Sequence, residues 1–321
     1  MRSDPNGRAG TIFAVGSVNM DIVIPAPRLP SLGETLRGGD AALFAGGKGA
    51  NQACAAARLG AKVQFIGKVG KDPFGKTVRE SLDACHVDHR GLIDDERATG
   101  TAMITVLPNG ENAILLSPGA NDAVSPAEAI ARLGNLERSS IVLLQLEIPL
   151  DTVRAAALAA REQGATVILD PAPFCPLPAD LLRSASIITP NQTEAAQLLG
   201  RPGWEISSVE EAQRAASDLV QLGSKAVILT LGRLGCFVQW DRVSEHLPAY
   251  EVQAVDSTAA GDTFNGALAA ALASQMDLLD AADFANAAAA ISVTRRGAQA
   301  SLPSIREVEN MRTGVPTHNA S

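Results

Sequence analysis

Six short stretches of this chain read as β-strands, and several of them are apolar throughout: TIFAVG (11–16), VQFIGKVG (63–70), IVLLQLE (141–147), TVILD (166–170), SIITPN (186–191) and KAVILTLG (225–232). A strand with no polar face has to be covered on both sides, which is the condition of a parallel sheet sandwiched between helices. Segments with helical spacing intervene at 48–59, 75–85, 151–163, 193–199, 208–222, 261–275 and 280–294. The alternation predicts a doubly wound, mostly parallel α/β sheet with helices on both faces. Apolar residues make up 46% of the 321 but aromatics only 3%. Side chains that small suit close packing of helices on a sheet. We expect one α/β domain over 11–310, with tails at 1–10 and 311–321.

Two segments break the rhythm. One follows the first strand, is rich in Pro and Gly, and reaches about Phe44. The other, TGTAMITVLPNGENAILLS (99–117), reads as two strands joined by a turn at Pro108, Asn109 and Gly110. Together, at about 17–44 and 97–118, they predict a small antiparallel β lid over a cleft.

A formal charge of −8 and a pI near 5.1 give no electrostatic footprint for nucleic acid. The first ten residues lack the apolar core of a secretory signal, and no apolar stretch is long enough to span a bilayer. Four cysteines (Cys54, Cys85, Cys175, Cys236) form no C-x-x-C pair and show no metal-ligand spacing with the four histidines. Reduced thiols in a cytoplasmic protein are the simplest expectation.

Three glycine-rich elements could receive an anion. GKDPFGKT (70–77) satisfies the phosphate-loop pattern, with Lys76 and Thr77 as its polar pair. Against that reading, Pro73 removes an N–H donor and Asp72 puts a carboxylate where the anion should sit. The alternative is a strand-to-helix turn. FAGGKGANQACAAARLG (44–60) brings bare backbone to a helix start, with Lys48 and Asn51 able to face a ligand. It misses the dinucleotide pattern because Gln52 stands at the third glycine. VDSTAAGDTFNGALAAAL (255–272) leads through Ala259, Ala260 and Gly261 into a helix whose first turn holds Asp262. Open N–H groups there suit a phosphoryl group in transfer, and Asp262 is placed either to cap the helix or to act as general base.

In this order the elements resemble the ribokinase family of carbohydrate kinases, also called the PfkB family, over about 11–304. The resemblance rests on GSVNMD, PSLGET, AGGKGANQA, GKVGKDPFG, DPAP, TPNQTEA, LTLGRLG, VDSTAAGDTFNGAL and SVTRRGAQASLPS, and is strongest to its ribokinase branch. It implies ATP-dependent phosphorylation of the ribose 5-hydroxyl in a homodimer joined through lid strands. It implies Asp262 as base and the backbone of 259–262 as anion hole. Asn19, Asp21, Gly47, Lys48, Asn51, Glu147 and Asp262 itself would bind the sugar. Asn191, Thr230, Gly232, Gly261 and Asn286 would hold ATP, with Glu194 on the water shell of Mg2+. Asp256, Thr258, Ser292, Arg295, Gly297 and Ser301 would surround K+.

Within the same family, 2-deoxyribose, fructose or a nucleoside are the alternative acceptors. Two residues depart from the family pattern: Asp170 stands where Asn is common before Pro-Ala-Pro, and Ser257 replaces a common Thr. A phosphate-loop switch at 70–77 and a non-catalytic sugar sensor are the readings outside the kinase class.

Overall fold

The computed structural model describes residues 9–109 and 111–314. Gly110, the last residue of the expected lid turn, lies outside these residues, as do most of both expected tails. The chain opens with β1 (Thr11–Val15), β2 (Asn19–Pro25), β3 (Ala42–Gly46), α1 (Lys48–Arg58), β4 (Lys62–Gly70), α2 (Pro73–Ala84) and β5 (Asp88–Asp95). It continues through β6 (Gly100–Val106), β7 (Asn112–Ser117), α3 (Pro126–Leu133), β8 (Ile141–Leu144), α4 (Leu150–Glu162), β9 (Thr166–Leu169), α5 (Ala179–Ser184) and β10 (Ile187–Ile188). The last third holds α6 (Gln192–Leu198), α7 (Val209–Gln221), β11 (Ala226–Thr230), β12 (Cys236–Trp240), β13 (Val243–Leu247), α8 (Ala260–Ala273), α9 (Leu278–Ser292) and α10 (Ile305–Thr313).

Nine strands form one sheet in the order β13-β12-β11-β10-β9-β8-β1-β4-β5. From β5 to β11 every pairing is parallel, and a β12–β13 hairpin adds an antiparallel edge. All six strands read from the sequence are present. The fully buried pattern of β8 follows from its interior place. Ile141 and Leu143 enter the core under α1, α8 and α9, whereas Val142 and Leu144 enter the one under α3, α4 and α7. Three strands of this sheet were missed: β5 (DHRGLIDD) and β13 (VSEHL), polar strands at the sheet edges where water replaces one neighbour, and the short apolar β12 (CFVQW) that pairs with β13.

The lid is a second sheet, ordered β3-β2-β6-β7. It is mixed where antiparallel pairing was expected, because its central strands β2 and β6 run parallel. The reason lies in the main sheet. β1 and β5 belong to one parallel set, and β2 and β6 continue from their carboxyl ends in a common direction. The lid also runs past the expected residue 44, since β3 ends at Gly46. Of the expected tails, Gly10 is buried and its N–H donates to Ala273 O (2.9 Å). At the other end α10 continues past residue 310 to Thr313.

α8 is apolar on all sides and is buried from Asp262 to Ala273. It packs closely on α1 at Gly266. A Cβ on Gly266 would lie 2.5 Å from the Cβ of Ala55 and 2.5 Å from the carbonyl oxygen of Gln52. Backbone cannot yield cheaply there, so the helix approach depends on the missing side chain. A valine at this point costs about 3 kcal/mol of overpacking. Gly266→Val is therefore expected to lower the calorimetric melting temperature by about 5 °C or more; an unchanged midpoint would show that the helices are not held at this spacing.

Candidate active site

The carboxyl ends of β1, β8, β9, β10 and β11 lie along one edge of the sheet, the place where open parallel sheets bind ligands. The polar side chains of the site come from the loops just past these strands and from the first turns of α1 and α8.

The turn into α1 needs its glycines. Gly47 sits at φ 91°, and a Cβ on it would come within 2.8 Å of the Asn19 nitrogen. A Cβ on Gly46 would lie 2.2 Å from Asp21 Oδ2. With both side chains absent, the start of α1 closes onto β2. The Lys48 N–H donates to Glu147 Oε2 (3.1 Å), which also accepts from Ser17 Oγ (2.6 Å) and, more weakly, from Asn19 Nδ2 (3.5 Å). Asn19 is in turn fixed by Asn121, whose Nδ2 donates to Asn19 Oδ1 (2.8 Å). Five of the seven residues expected at the sugar are thus gathered here: Asn19, Asp21, Gly47, Lys48 and Glu147.

The sixth, Asn51, points at Asp262. Its Nδ2 donates to Asp262 Oδ2 (3.0 Å), and the Nε2 of the neighbouring Gln52 donates to Asp262 Oδ1 (3.1 Å). Asp262 is buried in the first turn of α8, where helix geometry leaves N–H groups without intrahelical acceptors. Residue 259 enters the helix in the left-handed region, at φ 57°. The Ala260 N–H donates to Ser257 O (3.2 Å). Of the expected hole, the amides of Ala259, Gly261 and Asp262 have no hydrogen-bond acceptor among the described residues and are left open for an anion. A Cβ on Gly261 would meet nothing within 4 Å.

Five carboxyl groups (Asp21, Glu147, Asp170, Glu194, Asp262) act on one ammonium, Lys48, or on each other. Burial alone would lower the Lys48 pKa, but Asp262, Asp170, Glu147 and Glu194 outweigh it and hold the ammonium charged. Burial pushes the Asp21 carboxyl up to about 7, with Glu147 and Asp262 adding to the shift. Burial likewise pushes Asp170 up to about 8; Lys48 opposes the rise, Glu194 and Asp262 reinforce it, and the Gln52 amide opposes it weakly.

Where the nucleotide is expected, Asn191 and Glu194 form a reciprocal cap on α6. Asn191 Oδ1 accepts from the Glu194 N–H (2.9 Å) and Glu194 Oε2 from the Asn191 N–H (2.9 Å). Burial raises the Glu194 pKa despite this. Thr230 bridges to Asn191, and Gly232 opens the turn after β11. Asn286 Nδ2 donates to Pro248 O (2.7 Å), so it fastens the 248 loop to α9.

At the expected cation position, Asp256 Oδ2 accepts from the Gly297 N–H (2.9 Å) and Oδ1 from Thr258 N–H (2.9 Å) and Oγ1 (2.7 Å). The two loops carrying these residues are thereby tied together. Ser292 Oγ and Ser301 Oγ each donate to a carbonyl within their own turn, to Ala289 O and Ala298 O. The Arg295 side chain pairs with Glu307.

The phosphate-loop match is filled by the protein itself. Asp72 caps α2, its Oδ1 accepting from the Gly75 N–H (2.8 Å) and its Oδ2 from the Thr99 N–H (2.8 Å). A carboxylate occupies the place of the anion, Lys76 is exposed and pairs with Glu80 (3.7 Å), and Thr77 Oγ1 bonds back to Pro73 O (3.1 Å). Sequence reasoning overlooked Ser17, Asn121 and Gln145, and used Gln52 only as a departure from a pattern. Its signal was there: a Gln beside Asn in an otherwise Ala-rich helix, fully buried.

A carboxylate held by two amides at an open helix end, beside a polar cleft at the carboxyl edge of a parallel sheet, is an arrangement suited to phosphoryl transfer. The model of the pfkB family carbohydrate kinases matches residues 10–305. A ribokinase of Haemophilus influenzae is 42% identical over 302 residues, covering 92% of this chain and 96% of that protein. Among solved structures, a Thermotoga maritima ribokinase superposes with a TM-score of 0.86 at 36% identity, covering 95% of this chain and 99% of that one. An Arabidopsis thaliana ribokinase complexed with ribose and ATP gives 0.86 at 33%, with 95% and 98% covered. The chain belongs to the pfkB family of carbohydrate kinases.

The raised carboxyl pKa values make a prediction about the protein without ligands. A carboxyl whose folded pKa exceeds its unfolded value favours folding fully below the unfolded value, and the contribution is lost as pH rises through the folded one. For Asp170 the window runs from about 4 to about 8. Asp170→Asn is expected to raise the apo melting temperature at pH 8.5 by at least about 4 °C and to change it little at pH 4.5. A pH-independent difference would contradict the buried, raised carboxyl.

Proposed function

We propose that this chain transfers the γ-phosphoryl group of ATP to the 5-hydroxyl of D-ribose, giving ribose 5-phosphate and ADP. The observation that carries the reading is the Asp262 carboxylate, fixed by Asn51 and Gln52 beside the open amides of Gly261 and Asp262. The relatives described above are named ribokinases, and one was solved with ribose and ATP.

Asn19, Asp21, Gly47, Lys48, Asn51 and Glu147 orient the sugar. Asp262 accepts the proton of the 5-hydroxyl as that oxygen attacks phosphorus, while the amides of Gly261 and Asp262 receive the charge on the transferring group. The lack of a side chain on Gly261 leaves those amides open to the phosphoryl group, since nothing in the protein fills the space. Asn191, Thr230, Gly232 and Asn286 line the nucleotide side.

An excess of carboxyl groups over one ammonium suits a divalent cation arriving with ATP. Mg2+ held through water by Glu194 would neutralise phosphate charge. Hard oxygen donors suit K+ in the loops joined by the Asp256–Gly297 hydrogen bond, with Asp256, Thr258, Ser292, Arg295, Gly297 and Ser301 around it. That charge would polarise the anion hole. Four free cysteines fit a cytoplasmic protein, and no helix among the described residues is long and apolar enough to cross a membrane.

The lid offers a surface for a second copy. Leu43, Met103, Ile114 and Leu115 are each more than half exposed, and all lie on lid strands. A homodimer closing on that sheet would bury them and protect its edges.

A coupled ADP-release assay over ribose, 2-deoxyribose and fructose tests the reaction. Ribose is expected to give the highest kcat/KM, potassium to exceed sodium-only buffer, and Asp262→Asn to lower kcat about a thousandfold. Full turnover by Asp262→Asn would remove the base, and no preference for ribose would remove the substrate. Leu115→Glu is expected to convert a dimer to monomer in sedimentation velocity; an unchanged sedimentation coefficient would place the interface elsewhere.

A further inference from the structure

A second shell of amides stands behind Asp262, and it is wired in one direction. Gln145, at the end of β8, donates from Nε2 to Gln52 Oε1 (2.6 Å). Gln52 then spends both protons of its own Nε2 on carboxyl groups, one on Asp170 Oδ2 (2.8 Å) and one on Asp262 Oδ1 (3.1 Å). Both glutamines are fully buried. Two carboxyl oxygens on one side fix which way the Gln52 amide faces: its nitrogen toward them, its oxygen toward Gln145. Burial makes each of these bonds costly to lose, since water cannot replace the missing partner.

Asn51 alone would leave the Asp262 carboxylate held at one oxygen and free to turn about its own bond. The bond from Gln52 removes that rotation. We propose that Gln52 is a positioning residue for the transfer, fixing the orientation of Asp262 through an amide that it shares with Asp170 and that Gln145 holds in place. The inference rests on Asp262 being the base. Asp170 acts here as a second acceptor that keeps the Gln52 amide between two carboxyl groups of the site, and it is one of the two residues at which this chain departs from the family pattern.

Geometry of this kind affects turnover more than binding, because ground-state contacts to the sugar come from other residues. Gln52→Met keeps the length of the side chain and deletes the amide. It is expected to lower kcat about a hundredfold with the ribose KM within about twofold. Gln145→Met, one step further from the base, is expected to lower kcat about tenfold in the same pattern, and guards against a Gln52 variant that fails to fold. Asp170→Asn keeps an oxygen for Gln52, whereas Asp170→Leu does not, so kcat of the first is expected to exceed that of the second at least fivefold.

A folded Gln52→Met with kcat within threefold of the unmodified protein would overturn the inference, as would equal losses in kcat and affinity. If Gln52→Met does not fold, a Gln145→Met enzyme with unchanged kcat overturns it. The parent reading fails separately: turnover by Asp262→Asn removes the base itself, whereas an inactive Asp262→Asn with a fully active Gln52→Met removes only the positioning role.

Discussion

Everything at the site depends on how closely α1 and α8 approach. Their contact is built from alanines and from Gly266, where no β-carbon fits against the Gln52 carbonyl. Because the helices touch, the amides of Asn51 and Gln52 reach Asp262 across a gap of one hydrogen bond. Larger side chains at this seam would separate the two helix ends and leave the carboxylate without its partners. The Ala-rich, aromatic-poor composition is thus a condition of the chemistry as well as of the core.

The second constraint is electrostatic. Gathering four carboxyl groups around Lys48, with Asp21 beside two of them, opposes folding as the pH rises, and the protein offsets the burden by protonating Asp21 and Asp170 near neutrality and by surrounding the rest with amides and N–H donors. Such a site is poorly matched to its own charge while empty.

Much of this was legible in the sequence. The interior strands declare themselves because burial on both faces forbids polar residues, and α1 and α8 because glycine runs precede alanine-rich helices. Asn19, Asp21, Lys48, Asn51 and Glu147 do converge, along with Asp262. Edge strands β5 and β13 were hidden by their polar side chains, and the mixed pairing of the lid was hidden because direction follows from the main sheet, not from the lid residues. The roles of Ser17, Asn121 and Gln145 were invisible for a different reason. Their partners lie at sequence separations of 93 to 130, and no local pattern records a hydrogen bond that only the tertiary fold creates.

The cap on α2 has a mechanical meaning. Asp72 takes hydrogen bonds from Gly75 in the helix and from both the N–H and the hydroxyl of Thr99, the residue just before β6. Thr99 in turn receives the Gly70 N–H at the end of β4. The lid therefore leaves the main body from a riveted point. The stretch that imitates a nucleotide loop thus serves to pin the start of β6, and with it one root of the lid sheet, to the end of β4 and the start of α2.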